Sequence, residues 1–429
     1  MSLIVKIGKK GKQLLKGIID PPTKHYVRYT RRIEQIKTNK RICAMTFDDG
    51  PFDLPCAPDL FEGKSLTDVI LDSLEQYGAK GTFDVIGDTA ENYPDQAGAI
   101  GSAAWGGIQY DHYPDIHADE KGGALRKERL IQRMIDGGHQ ISNHCYRHII
   151  FGKKPFVYGK RVYLGEYPKA YEDIAKLHRL MEEKYGYKMI MGRPAHYVDK
   201  IDACFSSYDV YDQLGYSYMA ASFDGQGWLP SALSDPAAAF EAEVQAMVRP
   251  IKKALETNPD FFCGQIIFQK DGYNMAKRTP VAVGLGEQLK LLKEYGYEIV
   301  TVEELMKESP FKDLGREDPL FEAACALEKK RAIAFSDNTI RPSEIMKWGE
   351  LAMLLAPREI AVDERREQML KTKKPLHPYA TALLWCKKQG LIPKGAKWNK
   401  AVDALPKEYF EPTNDFTRGS ILKAFKIGL

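Results

Sequence analysis

The chain has 429 residues, with 62 Lys and Arg against 58 Asp and Glu, and is 44% hydrophobic. That length suits one large domain with a smaller companion, and the apolar content allows an ordinary buried core. No apolar run reaches 18 residues, which excludes a membrane-spanning helix. Seven scattered cysteines without a CxxC pair offer neither a disulfide framework nor a thiolate metal site.

Charge is distributed unevenly along the chain. Residues 1–40 hold 11 basic against two acidic residues, net +9. This basic N-terminal extension sets Ile4, Ile7, Leu14, Leu15, Ile18 and Ile19 among lysines. It reads as an amphipathic helix on an anionic surface, or as an arm packed on the main domain with a solvated basic face. It lacks the apolar core and small-residue cleavage site of a signal peptide. Residues 41–309 carry 29 basic against 40 acidic residues, net −11, and residues 310–429 carry 22 against 16, net +6. Nothing in this pattern points to a nucleic-acid partner.

From residue 41 onward, short apolar runs recur at Ile42–Phe47, Thr82–Ile86, Gln140–Ser142, Met189–Met191, Tyr218–Phe223, Ile266–Phe268 and Glu298–Val302. Helical patterns lie between them at Leu66–Tyr77, Tyr171–Tyr185 and Glu287–Tyr295. Strands alternating with helices predict an α/β domain built on a parallel sheet, open or closed into a barrel. Between Gly87 and Gly123 a long aperiodic segment carries Trp105, Tyr110, His112, Tyr113 and His117. Such a loop is either a sugar-stacking rim or held down by its own aromatics.

Two clusters carry chemistry. Thr46-Phe47-Asp48-Asp49-Gly50-Pro51 places adjacent carboxylates where a strand gives way to a turn. Like charges so close need a cation or a proton, and one acid on a metal with the other moving protons satisfies both. His144 and His148, four residues apart, would share one face of a helical turn. Together Asp49, His144 and His148 make a two-histidine, one-carboxylate set with an open coordination position, the mark of a catalytic site.

These motifs resemble the first two of the NodB-type polysaccharide deacetylases, carbohydrate esterase family 4. The resemblance spans roughly residues 41–305 and implies a distorted (β/α) barrel. It implies that Asp48 is the general base and that Asp49, His144 and His148 bind one divalent ion, zinc first and cobalt or nickel as alternatives. Arg193-Pro194-Ala195-His196 stands for the third motif: Arg193 orients the base, and a backbone N–H near Ala195 or His196 faces the substrate oxyanion. Asp224-Gly225-Gln226-Gly227-Trp228 stands for the fourth, with Asp224 in the acid pair and Trp228 walling the acetyl pocket. In the fifth, Lys270 replaces the histidine that serves as acid, and is expected to pair with Asp224. The implied function is metal-dependent removal of acetyl groups from a polysaccharide, an N-acetylated cell-wall or chitin-like glycan. The alternatives are an O-acetyl esterase of the xylan type and a carbohydrate-binding pseudoenzyme.

Beyond Ser309-Pro310 the chain repeats itself. Asp318–Ile333 aligns with His377–Ile392 at an offset of 59, and Pro342 and Gly349 align with Pro412 and Gly419 at an offset of 70. Each unit reads helix, loop, helix, which predicts an all-α domain over 310–429. The units resemble S-layer homology repeats, through Met346-Lys347-Trp348-Gly349-Glu350 and Phe416-Thr417-Arg418-Gly419-Ser420. That resemblance implies an anionic secondary cell-wall polymer as partner and a bacterial cell-surface location. The missing export signal makes the cytoplasm the alternative.

Overall fold

The computed structural model describes residues 25–91, 120–152, 163–274, 276–391 and 412–418. The N-terminal helix pattern and the aromatics Trp105, Tyr110, His112, Tyr113 and His117 lie outside these residues. The architecture is a curled parallel sheet wrapped by helices, with a smaller, mainly helical region packed on one flank.

Its elements run β1 (Arg32–Ile33), β2 (Ile42–Asp48), α1 (Leu66–Gln76), β3 (Thr82–Val85), α2 (Glu128–Asp136) and β4 (Gln140–Asn143). They continue with α3 (Tyr167–Tyr185), β5 (Met191–Gly192), α4 (Ser207–Leu214), β6 (Ser217–Met219), β7 (Phe223–Asp224) and α5 (Pro236–Thr257). The domain closes with β8 (Ile266–Lys270), α6 (Val281–Glu294), β9 (Glu298–Val300) and α7 (Val302–Glu308). The strand order is β1-β6-β5-β4-β3-β2-β8-β7, with β9 also on β2, and every pair is parallel. All seven residues of β2 are buried. Covered on both faces, the central strand reads as the near-continuous apolar run expected of a parallel sheet.

Two features depart from the expected organisation. The stretch set aside as an extension supplies β1, which pairs with β6 through Arg32↔Tyr218 and Ile33↔Met219. Its continuation runs beneath the sheet, where Ile36 N–H donates to Gly264 O at 2.9 Å. Two residues of strand are too short for a periodic signal, so only the pairing reveals them. The run Tyr218–Phe223 is also two strands, β6 and β7, because the chain leaves one neighbour and joins another at Ala220–Ser222.

The C-terminal region contains α8 (Phe321–Glu328), β10 (Ile345–Lys347), α9 (Trp348–Leu355), α10 (Arg365–Thr372), α11 (Ala380–Lys388) and β11 (Pro412–Thr417). The repeat is visible in this order: α8 and α11 begin 59 residues apart, and β10 and β11 end 70 apart. The region is not all-α, because β10 and β11 pair antiparallel. Neither segment shows a strand pattern alone; the ladder between them supplies it. Buried Arg418 then reaches Glu350 Oε2 at 2.7 Å and the Ile333 and Ile340 carbonyls.

This region docks on the sheet domain through charges as well as apolar packing. Met369, Leu376 and Ala380 join the main core, and Val27 packs with the helices of the C-terminal region. Buried Asp209 receives Arg28 at 2.9 Å and Arg365 at 2.7 Å. Burial pushes the Asp209 carboxyl up, but Arg28 and Arg365 outweigh it and hold it well below the usual carboxylate range. A depressed carboxyl contributes stability above its unfolded pKa, about 3.9 for Asp, and loses it as pH falls toward the folded value. Thermal melts should therefore drop steeply below about pH 4, and Asp209→Asn should flatten that part of the curve. A variant whose acid limb matches the parent's would remove Asp209 from the docking contact.

Candidate active site

The strand ends place the chemistry. In register, Asp48 at the end of β2 stands between Asp84 on β3 and Lys270 at the end of β8. Asn143 ends β4, and Arg193 directly follows β5. Active sites of parallel α/β folds are built at these carboxyl ends.

Asp49 leaves β2 with φ +89° and turns its carboxylate inward. The following residue must be glycine: a Cβ at Gly50 would sit 1.9 Å from Asp271 Oδ2. Asp49 Oδ1 then lies 3.1 Å from His144 Nε2 and 3.1 Å from His148 Nε2. The two imidazoles meet at 5.0 Å between centroids, but not on a helix. Residues 144–148 form a loop with Cys145 at φ +72° and His148 at φ +53°. The helical turn expected from the spacing is corrected here: two left-handed residues fold the loop back, and that reversal brings His148 beside His144.

Buried Asp173 on α3 clamps this loop. Its carboxylate accepts from Tyr146 N at 3.0 Å and from Arg147 Nε at 2.7 Å. Asn143 adds a second tie, accepting from Cys145 N at 3.0 Å and donating to Ile174 O at 2.9 Å. Sequence reasoning missed both residues, since a single acid inside a helix pattern carries no signal. Asp173→Ala leaves these donors without their acceptor, and we expect a loss of about 1–3 kcal/mol in urea unfolding. Divalent-ion affinity should fall with it, since the loop carries both histidines. Unchanged affinity in a folded variant would show that the clamp does not set the histidine geometry.

His144 defines its own tautomer. Its Nδ1 sits 2.9 Å from the Arg193 carbonyl oxygen, which can only accept, so Nδ1 carries the hydrogen. In a neutral ring, Nε2 then turns a lone pair toward Asp49 Oδ1. Two acceptors 3.1 Å apart require a positive charge between or upon them. Burial works against a protonated ring, yet the close carboxylates of Asp49, Asp84 and Asp48 outweigh it, raising the His144 pKa well above its usual value. A divalent ion answers the same demand. Ligand bonds of about 2.0–2.1 Å in a tetrahedral shell set donors about 3.3 Å apart, close to the spacing found. The donor chemistry of Asp49, His144 and His148 thus fits such an ion.

Asp48 points into the same cavity but is held by a different partner. Arg193 Nη1 donates to its Oδ1 in a close contact, while Oδ2 stays 3.9 Å from His144 Nε2. Arg193 is fixed in turn by Thr46 Oγ1 at 3.2 Å and by Met219 O at 3.2 Å. Burial raises the Asp48 carboxyl most; Arg193 and His144 pull it back, Asp84 adds to the rise, and it comes to rest at about 6. Asp49 moves the other way: burial raises it, but Lys270 and the two histidines outweigh that and hold it well below the carboxylate range. Adjacent acids with separated affinities for the proton are the arrangement a base and a ligand require.

The remaining predicted residues divide. Lys270 is buried and faces Asp49 Oδ2 at 3.9 Å. Its expected pairing with Asp224 is corrected: Asp224 sits opposite Phe268, two residues short of Lys270, and is exposed. Its carboxylate accepts from Trp228 Nε1 at 3.1 Å and from Gln226 N at 2.8 Å. Asp224 and Trp228 therefore form a partly exposed pair at the sheet edge. His196, at φ +56°, joins the centre with its ring 5.1 Å from that of His148. Ala195 is buried beside it.

Residues 35–198 match the polysaccharide deacetylase family model. The peptidoglycan-N-acetylglucosamine deacetylase of Listeria monocytogenes is 25% identical over 304 residues, 70% of this chain and 47% of that protein. That of Bacillus cereus is 23% identical over 273 residues, 64% of this chain and 92% of that protein. The chain thus spans about half the length of the Listeria relative. Among solved structures, the chitin deacetylase of Colletotrichum lindemuthianum aligns with 65% of this chain and 92% of its own, with a TM-score of 0.42 at 19% identity.

Proposed function

We propose that this chain, whose residues 35–198 match the polysaccharide deacetylase family, is a metal-dependent hydrolase that removes acetyl groups from a polysaccharide. The observation that carries the proposal is the pair of acceptors, Asp49 Oδ1 and His144 Nε2, 3.1 Å apart beside a separately clamped Asp48. A divalent ion held by Asp49, His144 and His148, zinc by donor type with cobalt or nickel as alternatives, would supply Lewis-acid polarisation of the acetyl carbonyl and a more acidic water. Asp48, oriented by Arg193, takes a proton from the attacking water as its oxygen bonds to the carbonyl carbon. The carbon–nitrogen bond then breaks, acetate leaves, and the departing amine collects a proton from Lys270. The names of the relatives favour an N-acetylglucosamine-containing cell-wall glycan as the substrate.

A second reading has a specific observation behind it. Lysine gives up its proton near pH 10.4 in water, so it is a reluctant acid. An alkoxide leaves with less help than an amine, which favours O-acetyl esters if Lys270 donates poorly. Contact with an anionic wall polymer through the C-terminal units is a separate proposal. Arg418 is buried against Glu350, so such a polymer would meet other basic residues of this region.

The test is acetate release from N-acetylglucosamine oligomers and from acetylated xylan, after chelation and again with Zn²⁺ restored. Zinc-dependent acetate from the oligomers is the expected result. Acetate from xylan alone would favour the esterase reading. No acetate from either, with zinc bound, would overturn the hydrolase and leave a binding protein.

A further inference from the structure

Asp84 has no part in the reaction as described, yet it lies at the centre of the site. It is fully buried on β3, in register with Asp48. Its Oδ2 lies 3.4 Å from His144 Nδ1 and 3.6 Å from Arg193 Nε. Neither oxygen has a well-formed hydrogen bond among the described residues. A carboxylate removed from water and left with charge contacts alone is costly, and a packed apolar side chain would ordinarily serve the fold better. The charge therefore serves the site.

The balance of formal charge shows how. Asp48, Asp49 and Asp84 place three carboxylates in this buried cluster, and Arg193 and Lys270 place two cations. With both imidazoles neutral, as metal ligation requires, these five groups sum to one negative charge. Without Asp84 these groups would sum to zero, and a divalent ion would bring two uncompensated positive charges into a largely buried site. Lys270 sharpens the need, because its ammonium stands 3.9 Å from the Asp49 ligand and competes for it.

Resting on the metal-site reading above, we propose that Asp84 is a positioning residue that offsets Lys270 and keeps the site receptive to a divalent cation. It also braces the His144 ring from its Nδ1 side and gives Arg193 a second anionic neighbour. A carboxylate behind a metal-bound histidine raises the ligand's basicity and fixes its orientation, and losing such a partner typically weakens metal binding about 10–100-fold.

The experiment titrates Zn²⁺ into the chelator-treated full chain by calorimetry. Asp84→Asn should bind zinc about 10–100-fold more weakly than the parent. Adding Lys270→Gln to Asp84→Asn should recover most of that loss, which a merely structural role for Asp84 would not produce. Lys270→Gln alone should tighten zinc binding, and this variant decides the matter if Asp84→Asn does not fold. Equal affinity in Asp84→Asn and the parent, absence of rescue in the double variant, or weaker binding in Lys270→Gln would each overturn the inference while leaving the metal site standing. A parent chain that binds no zinc would overturn the metal-site reading, and the inference with it.

Discussion

Asp48→Asn should lower acetate release by about 10²–10⁴-fold and leave zinc content unchanged, because general-base catalysis contributes on that scale. The split between the two readouts follows from the geometry. Asp49 Oδ1 lies 3.1 Å from both His144 and His148, whereas the nearest Asp48 oxygen is 3.9 Å from His144 Nε2 and the other is committed to Arg193. Asparagine keeps the shape and can still accept from Arg193 through its carbonyl oxygen, but it cannot take up a proton. Parallel measurements of zinc content and turnover separate the outcomes. If both fall together, Asp48 is a ligand and the roles of the two acids must be exchanged. If neither falls, the base lies elsewhere, and Asp84 becomes the nearest buried carboxylate to examine.

Much of this site is legible in the sequence because its residues sit at strand ends marked by their neighbours. Asp48 and Asp49 follow a continuous apolar run and precede a turn, so strand, turn and acids are all local signals. His144 and His148 are found by spacing, although the spacing suggests a helix where the chain makes a left-handed loop. That loop is decided by Asp173, 25 residues beyond His148, and a tertiary contact of this kind leaves no periodic trace. Asp84 is hidden for a related reason. In Thr82-Phe83-Asp84-Val85 it reads as a polar interruption, and its meaning appears only when β3 pairs with β2 and sets it beside Arg193. The Lys270–Asp224 pairing failed because adjacent strands offer several partners, and register, not motif order, chooses among them. The helices α2, α4 and α5 were not read from the sequence, although Leu130, Ile131 and Met134 form a buried face on α2, and β1 is too short to show any periodicity. The repeat was detected from matched prolines and glycines, but the β10–β11 pairing depends on two segments 65 residues apart.

Lys270→His should raise hydrolysis of N-acetyl substrates by about 10-fold or more while leaving acetyl-ester hydrolysis nearly unchanged. Lys270 closes the same row of strand ends as Asp48, so an imidazole at this position would face the site from the same side. An imidazole titrates near 6.5 and can hold and release a proton at working pH, whereas an ammonium near 10.4 releases it poorly. Expelling an amine needs that proton in the transition state, and positioned acids contribute about 10²–10⁴-fold to such steps. An alkoxide needs it less, so the amide-to-ester ratio isolates proton donation from every other effect of the change. The substitution also removes a fixed cation 3.9 Å from Asp49, so zinc should bind more tightly in the variant, and rates must be compared at saturating metal. A rise on both substrates together at saturating zinc would assign the gain to a change common to both reactions and not to proton donation. A fall on amides at saturating zinc would show that Lys270 is itself the proton donor and that an imidazole does not replace it.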